Sequence, residues 1–358
     1  MRDLCEKIIN DYKNQSFDKN EYYFYANRRD YKDLYRTGVI TFEGQKYFFK
    51  IIDAKNRVDE DKINGIVNPT FKLAKKITEQ SFGEKLLVLY EYLDTININC
   101  YNFLRSKTEF DKKEEMLNSF FENYINLEDK FSKQQLSNNN YLSDIFFIER
   151  CKNGARITDY YSSDIELLIE DIKGFNLDYE KFSKIRELIN GQISNHYDTI
   201  TTYCHGDFHD FNFSLNKIFW DVDTFGINPI LNDFVIYYWH YYARENYLIL
   251  KYNWWLFENM FDTLSDEEKR KVYNIKEENI KNWWKFIHNK FNEANLLENL
   301  RNEFLFRLFC RVFLVDNVLK MEEDDRKLIY SYFLEMLDCE LDESGEFLFN
   351  TKSRFIKI

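Results

Sequence analysis

Between positions 205 and 223 the chain sets acidic, amide and imidazole groups at spacings that suit one kind of chemistry. The run is His205-Gly206-Asp207-Phe208-His209-Asp210-Phe211-Asn212, and Asp221-Val222-Asp223 begins nine residues after Asn212. Metal-assisted transfer of a γ-phosphoryl group asks for an acid or base beside the acceptor hydroxyl and for magnesium to neutralise charge on the phosphates. Asp207 would meet the first requirement. Asn212 and Asp221 would meet the second, since magnesium prefers oxygen ligands.

Local structure has to bring these groups together. The segment between Asn212 and Asp221, Phe213-Ser214-Leu215-Asn216-Lys217-Ile218-Phe219-Trp220, holds two short apolar runs split by Asn-Lys. It reads as a hairpin with a two-residue turn, which would return Asp221 to the side of Asn212. The five-residue step from Asp207 to Asn212 is also the step of the kinase catalytic loop, although the tripeptide here is His-Gly-Asp, not His-Arg-Asp.

With Asp233 opening the helical run Phe234-Val235-Ile236-Tyr237-Tyr238-Trp239, the ordered set over residues 203–239 resembles the aminoglycoside phosphotransferase and choline kinase-like family. The resemblance implies an α+β, two-lobed protein kinase-like fold, with a small β-rich N-lobe (residues 1–93) and a larger, mainly helical C-lobe (residues 94–358). It implies Asp207 as the catalytic residue, Asn212 and Asp221 as magnesium ligands, and Asp233 as a helix cap that stiffens the site. His205 would support the loop backbone. Asp223 would either reach a second metal or cap Gly226.

The whole chain bounds the reading from outside. At 358 residues it is long enough for two lobes around a cleft. A net charge of −12 argues against nucleic acid as the main partner. No apolar run of 18 residues or more is present, so neither a membrane span nor a membrane partner is expected, and the start has no signal-like apolar region. A cytoplasmic protein is the expectation. Six scattered cysteines without a Cys-x-x-Cys pair read as reduced thiols, not a zinc site or a disulfide framework.

Two strands are expected around the Glu43-Gly44 turn, 37–42 and 47–52, and a third at 85–93. Lys50 lies inside an apolar strand, where an ammonium group needs a partner. The resemblance gives it the nucleotide phosphates, and gives Glu60, with Asp59 and Asp61 as close alternatives, the task of holding it. Any of those acids reads equally well as a solvated residue at a helix N-terminus. That helix is expected over 59–78, broken or kinked at Pro69. Backbone groups from Glu91 to Leu93 would meet the adenine edge. Further amphipathic helices are expected near 112–131, 141–150, 163–173 and 179–196.

Two features depart from the family pattern. Only Gly38 stands where a glycine-rich phosphate loop would lie, at the far end of residues 26–38, and the second acidic motif is Asp-Val-Asp. Eleven residues separate Asp221 from Asp233, too few for the activation segment of a protein kinase, so a small acceptor is favoured. The aromatic series from Trp239 through Trp255 reads either as core or as a cation–π box, and Arg150 and Arg156 as acceptor contacts or as surface charges. The reading is a phosphotransferase that moves the γ-phosphoryl group of ATP or GTP, with Mg2+, to a hydroxyl of a small acceptor such as an aminoglycoside, amino alcohol or sugar. The rival is a kinase-like binding or structural protein without activity.

Overall fold

The computed structural model describes residues 1–24, 36–54, 57–94, 98–136, 165–185, 187–188, 197–222, 224–244, 264–315 and 318–350. Asp223, Arg150, Arg156, the helix expected at 141–150, most of the stretch where a phosphate loop would lie, and Tyr247, Tyr252, Trp254 and Trp255 fall outside them.

The fold mixes helices with antiparallel sheet. Strands β1 (Tyr22–Phe24), β2 (Thr37–Phe42), β3 (Gln45–Asp53), β5 (Lys76–Phe82) and β6 (Lys85–Glu91) form one antiparallel sheet in the order β1-β2-β3-β6-β5. Glu43 and Gly44 both take positive φ, 50° and 77°, the conformation that a two-residue hairpin between twisted strands requires. Alternation then decides the faces. Tyr47, Phe49 and Ile51 of β3 and Leu87 and Leu89 of β6 pack beneath helix α1 (Arg2–Asn14), which contributes Leu4, Ile8 and Ile9. Lys50, one residue out of that phase, stands on the opposite face.

Helix α2 (Glu60–Val67) is shorter than the sequence suggests. Asp59 caps it, accepting from the Lys62 amide at 3.1 Å, and Asn68-Pro69 ends it because proline disfavours helical backbone in the residue before it. The expected helix to Thr78 is therefore corrected. The chain continues as β4 (Lys72–Leu73) and then β5, where Lys, Glu and Gln sit in a strand because β6 beside them is buried and needs a ladder partner. Ile63, Val67 and Phe71 point into a second, larger core, away from the sheet just described.

That second core is built by α3 (Cys100–Arg105), α4 (Phe110–Phe131), α5 (Ile165–Gly174), α6 (Tyr179–Ser183), α7 (Leu231–Arg244), α8 (Asp266–Glu293), α9 (Leu297–Phe309) and α10 (Glu323–Met336). A three-stranded antiparallel sheet, β11 (Gly226–Pro229), β8 (Asp198–Cys204) and β7 (Lys133–Leu136), lies among them with β8 in the centre. Trp239, Trp283 and Trp284 are fully buried here, and Tyr241 and Tyr242 nearly so. These rings form core, each contributing roughly 1.5–3 kcal/mol by burial, and do not form a ligand box. Among the described residues no helix is long and apolar enough to cross a membrane.

Candidate active site

The loop that follows β8 is fixed by hydrogen bonds at nearly every residue. Gly206 has φ +87°, and a Cβ there would lie 2.3 Å from the Thr224 carbonyl oxygen, so both the backbone conformation and the space require glycine. Asp233 supplies the anchor. Its Oδ2 accepts from the His205 amide at 2.6 Å and from the Tyr124 hydroxyl at 2.5 Å, and its Oδ1 accepts from the Gly206 amide at 2.8 Å. It sits in the first turn of α7, which begins at Leu231. The expectation that Asp233 caps its helix is thus corrected: it caps the loop. His205 uses both ring nitrogens, accepting from the Asp207 amide at 3.3 Å through Nδ1 and meeting the Trp220 carbonyl at 2.9 Å through Nε2.

Trp220 closes the hairpin over the loop. Its indole donates to the Phe211 carbonyl at 2.8 Å and its amide to the Asn212 carbonyl at 3.2 Å. The hairpin strands are β9 (Phe213–Ser214) and β10 (Ile218–Phe219), paired Ser214 to Ile218. Its loop is therefore three residues, Leu215-Asn216-Lys217, with Lys217 left-handed at φ 64°, and not the two-residue turn expected. Parallel pairing of β10 with β4 then ties the hairpin to the segment after α2.

Asp221 follows immediately at φ 55°, a left-handed conformation that aspartate tolerates better than most residues and that recurs at functional sites. The Lys50 ammonium lies 2.8 Å from Asp221 Oδ1, with the Lys50 side chain 10% exposed and that of Asp221 41%. This contact supplies the partner that burial of Lys50 demands. Glu60, expected to hold Lys50, accepts from the Tyr90 hydroxyl at 2.6 Å. Glu91 ends β6 with its amide donated to the Lys75 carbonyl at 2.9 Å and its carboxylate paired with the Lys75 ammonium, and Leu93 lies just beyond the strand.

Asp207 keeps 37% of its side chain exposed. Asn212 Nδ2 donates to the Asp207 carbonyl at 2.8 Å and lies 3.4 Å from its Oδ2, which turns the amide oxygen of Asn212 away from Asp207. His209 Nε2 lies 3.5 Å from the same Oδ2, and Arg311 Nη1 lies 3.6 Å from Oδ1. Loss of hydration works against ionisation of Asp207, but His209 and Arg311 outweigh it and hold the carboxyl well below its ordinary range. Beside it Asp210 pairs with Lys276 of α8, whose ammonium is wholly buried. Arg311 and Lys276 were missed from sequence. The available signal was a cation inside an apolar stripe, Val272-Lys276-Ile280 in α8 and the run Phe304 to Phe313 around Arg311.

Behind the loop, Glu128, Cys204 and Asp233 bring ligand-type atoms within 4.8 Å of one another, all buried. Their chemistry is that of a hydrogen-bond network. Asp233 is engaged as described, and Glu128 Oε2 accepts from the Trp283 indole at 2.6 Å. Burial, reinforced by Asp233, pushes the Glu128 carboxyl well above its ordinary range, and burial likewise pushes the Cys204 thiol up. Because the folded protein pushes the Glu128 carboxyl up while the unfolded chain returns it to its ordinary range, its contribution favours folding at low pH and is lost as pH rises. Glu128→Gln keeps the acceptor for Trp283 and removes that titration. Urea melts of both proteins at pH 4.5 and pH 8 should show the variant gaining stability relative to wild type at the higher pH; equal slopes with pH would refute a raised Glu128 carboxyl.

No family model matches the chain, and no curated protein matches it. Among solved structures, an aminoglycoside-3'-phosphotransferase of type VIII aligns over 67% of this chain and 87% of its own, with 11% sequence identity and a TM-score of 0.32.

Proposed function

We propose that the protein transfers the γ-phosphoryl group of ATP or GTP to a hydroxyl of a small acceptor such as an aminoglycoside, amino alcohol or sugar. The observation that supports this most is one unbroken chain of contacts: Asp207 to Asn212, Asn212 to Trp220, and Asp221 to Lys50. A candidate base and two candidate oxygen ligands from the single stretch 207–221 are thereby linked to a buried cation from strand β3. Lys50, on the face of the sheet away from α1, would bind nucleotide phosphates. Asn212, with its amide oxygen turned from Asp207, and Asp221 would hold Mg2+, which when bound supplies charge neutralisation on those phosphates. Asp207, held ionised, would accept or orient the acceptor's hydroxyl proton, so that the barrier falls chiefly through positioning.

The test is transfer of labelled phosphate from ATP and GTP, with magnesium, to a panel of aminoglycosides, choline, ethanolamine, sugars and nucleosides, with water as the background acceptor. A labelled product supports the reading and names the acceptor class. Absence of any magnesium-dependent thermal stabilisation at millimolar nucleotide, where mass action requires a shift for any useful affinity, would sink it and favour a kinase-like protein without activity.

A further inference from the structure

Arg311 reaches the site from an uncommon piece of backbone. After α9 the chain runs into a π-helical turn, Cys310–Val315, a local widening that is frequent at functional positions. One turn earlier Arg307 pairs with Glu303 at 3.0 Å inside the core. Arg311 is the next residue on that stripe, and there the guanidinium leaves the core pairing and meets the catalytic loop.

Its contacts close a ring around Asp207. Nη1 lies 3.6 Å from Asp207 Oδ1, and Nη2 donates to His240 Nε2. A guanidinium has no lone pair, so His240 must offer a bare Nε2 and carry its proton on Nδ1. The His240 ring stacks on that of His209, with centroids 4.4 Å apart and planes 4° from parallel. His209 Nδ1 accepts the Phe211 amide at 3.3 Å, which leaves its proton on Nε2, facing Asp207 Oδ2 at 3.5 Å. Each oxygen of Asp207 is therefore faced by a donor, at distances long enough to leave a lone pair for an incoming hydroxyl.

We infer that Arg311, braced by His240 and His209, is a positioning residue that fixes the Asp207 carboxylate toward the acceptor. The inference rests on Asp207 being the acceptor-side base. A purely structural ion pair is a poor alternative account. Arg311 is only 8% exposed and its Nε has no hydrogen-bond partner among the described residues, so the guanidinium is held at a cost. Removing one partner of an ion pair is costly where the other charge is left buried, but Asp207 keeps 37% of its side chain exposed, so loss of Arg311 leaves no carboxylate stranded in the core.

That difference sets the experiment, made on the full chain with magnesium and ATP, scoring the ADP left when the γ-phosphoryl group passes to the acceptor found in the panel or to water. Arg311→Met is expected to keep a melting temperature at or above that of wild type and a KM for ATP within about threefold, while kcat falls about 10²-fold, the scale of a misplaced catalytic group. Arg311→Lys should recover most of the loss. Unchanged kcat in Arg311→Met would overturn the inference. So would a loss of stability in step with the loss of kcat. Should Arg311→Met fail to fold, His240→Leu removes the brace from the other side, with the same split between kcat and KM expected. Independently of turnover, 15N-histidine NMR at pH 8 should show His240 with a bare Nε2 in the wild type and a mixture of tautomers in Arg311→Met; an unchanged tautomer would break the ring proposed here. If the wild type neither binds nor turns over nucleotide, the phosphotransferase reading fails on its own, and the tautomer measurement still decides whether Arg311 braces this carboxylate.

Discussion

Asp207→Asn should lower phosphoryl transfer by on the order of 10³-fold, the range for loss of a general base, while leaving the affinity for magnesium-nucleotide within about threefold. The geometry separates the two effects. Asp207 is anchored through its backbone, by His205 at its amide and Asn212 at its carbonyl, so an isosteric amide leaves loop and hairpin in place. What changes is the carboxylate itself, which His209 and Arg311 hold ionised and which is the one group on the loop exposed enough to meet an acceptor. Asp221→Ala should behave in the opposite sense, weakening nucleotide binding because it strips Lys50 of its described partner and removes one of the two oxygen ligands proposed for magnesium. Single-turnover transfer and calorimetric nucleotide titration on both variants make the comparison. Transfer by Asp207→Asn within a few-fold of wild type would remove Asp207 from the role of base, and a parallel loss of nucleotide affinity would show that it acts on the metal.

Why some of this was legible in sequence and some not follows from the range of the contacts. The loop and hairpin were readable because Asp207, Asn212 and Asp221 lie within one short stretch whose spacing itself encodes the geometry. Lys50 was readable because a cation inside the continuous apolar run Tyr47 to Ile52, with Phe48 and Ile52 beside it on its own face, demands a partner, although the identity of that partner, Asp221, was not local information. The end of α2 was misplaced because Lys76 to Phe82 carries helix-favouring residues. The buried neighbour β6 overrides that preference by offering a full ladder of hydrogen bonds. Asp233 was expected at a helix terminus, where aspartate is common. Its actual use, as receptor for the amides of His205 and Gly206, depends on how α7 approaches β8, and no local pattern carries that. Arg311, His240 and Lys276 lie far along the chain from Asp207 and Asp210, and only packing of α7, α8 and the π-helical turn brings them together.

The Asp210–Lys276 pair gives the largest expected effect on stability. Lys276 is fully buried and Asp210 nearly so. The ammonium otherwise faces the rings of Tyr101 and Tyr241 at 6.0 and 5.8 Å, contacts too long to replace a counter-ion at such a depth. Lys276→Met should therefore cost about 3–5 kcal/mol, because it leaves Asp210 as a buried charge without its cation. Asp210→Leu should also be destabilising, because it removes the carboxylate paired with the buried Lys276 ammonium. The double variant should return most of the way to wild type, since replacing a whole buried ion pair with apolar groups is commonly neutral. A double-mutant cycle from urea unfolding measures the coupling, and additive single costs would show that the two charges do not depend on each other. The cycle also bears on the site. The Tyr101 amide donates to the Asp210 carbonyl and the Tyr101 ring stacks on Phe211 at 4.9 Å, so this pair clamps α3 and the loop of Asp207 against α8. If the clamp sets the loop's position through charge pairing, the apolar double variant will regain stability without regaining full turnover; if shape alone is enough, both will return together.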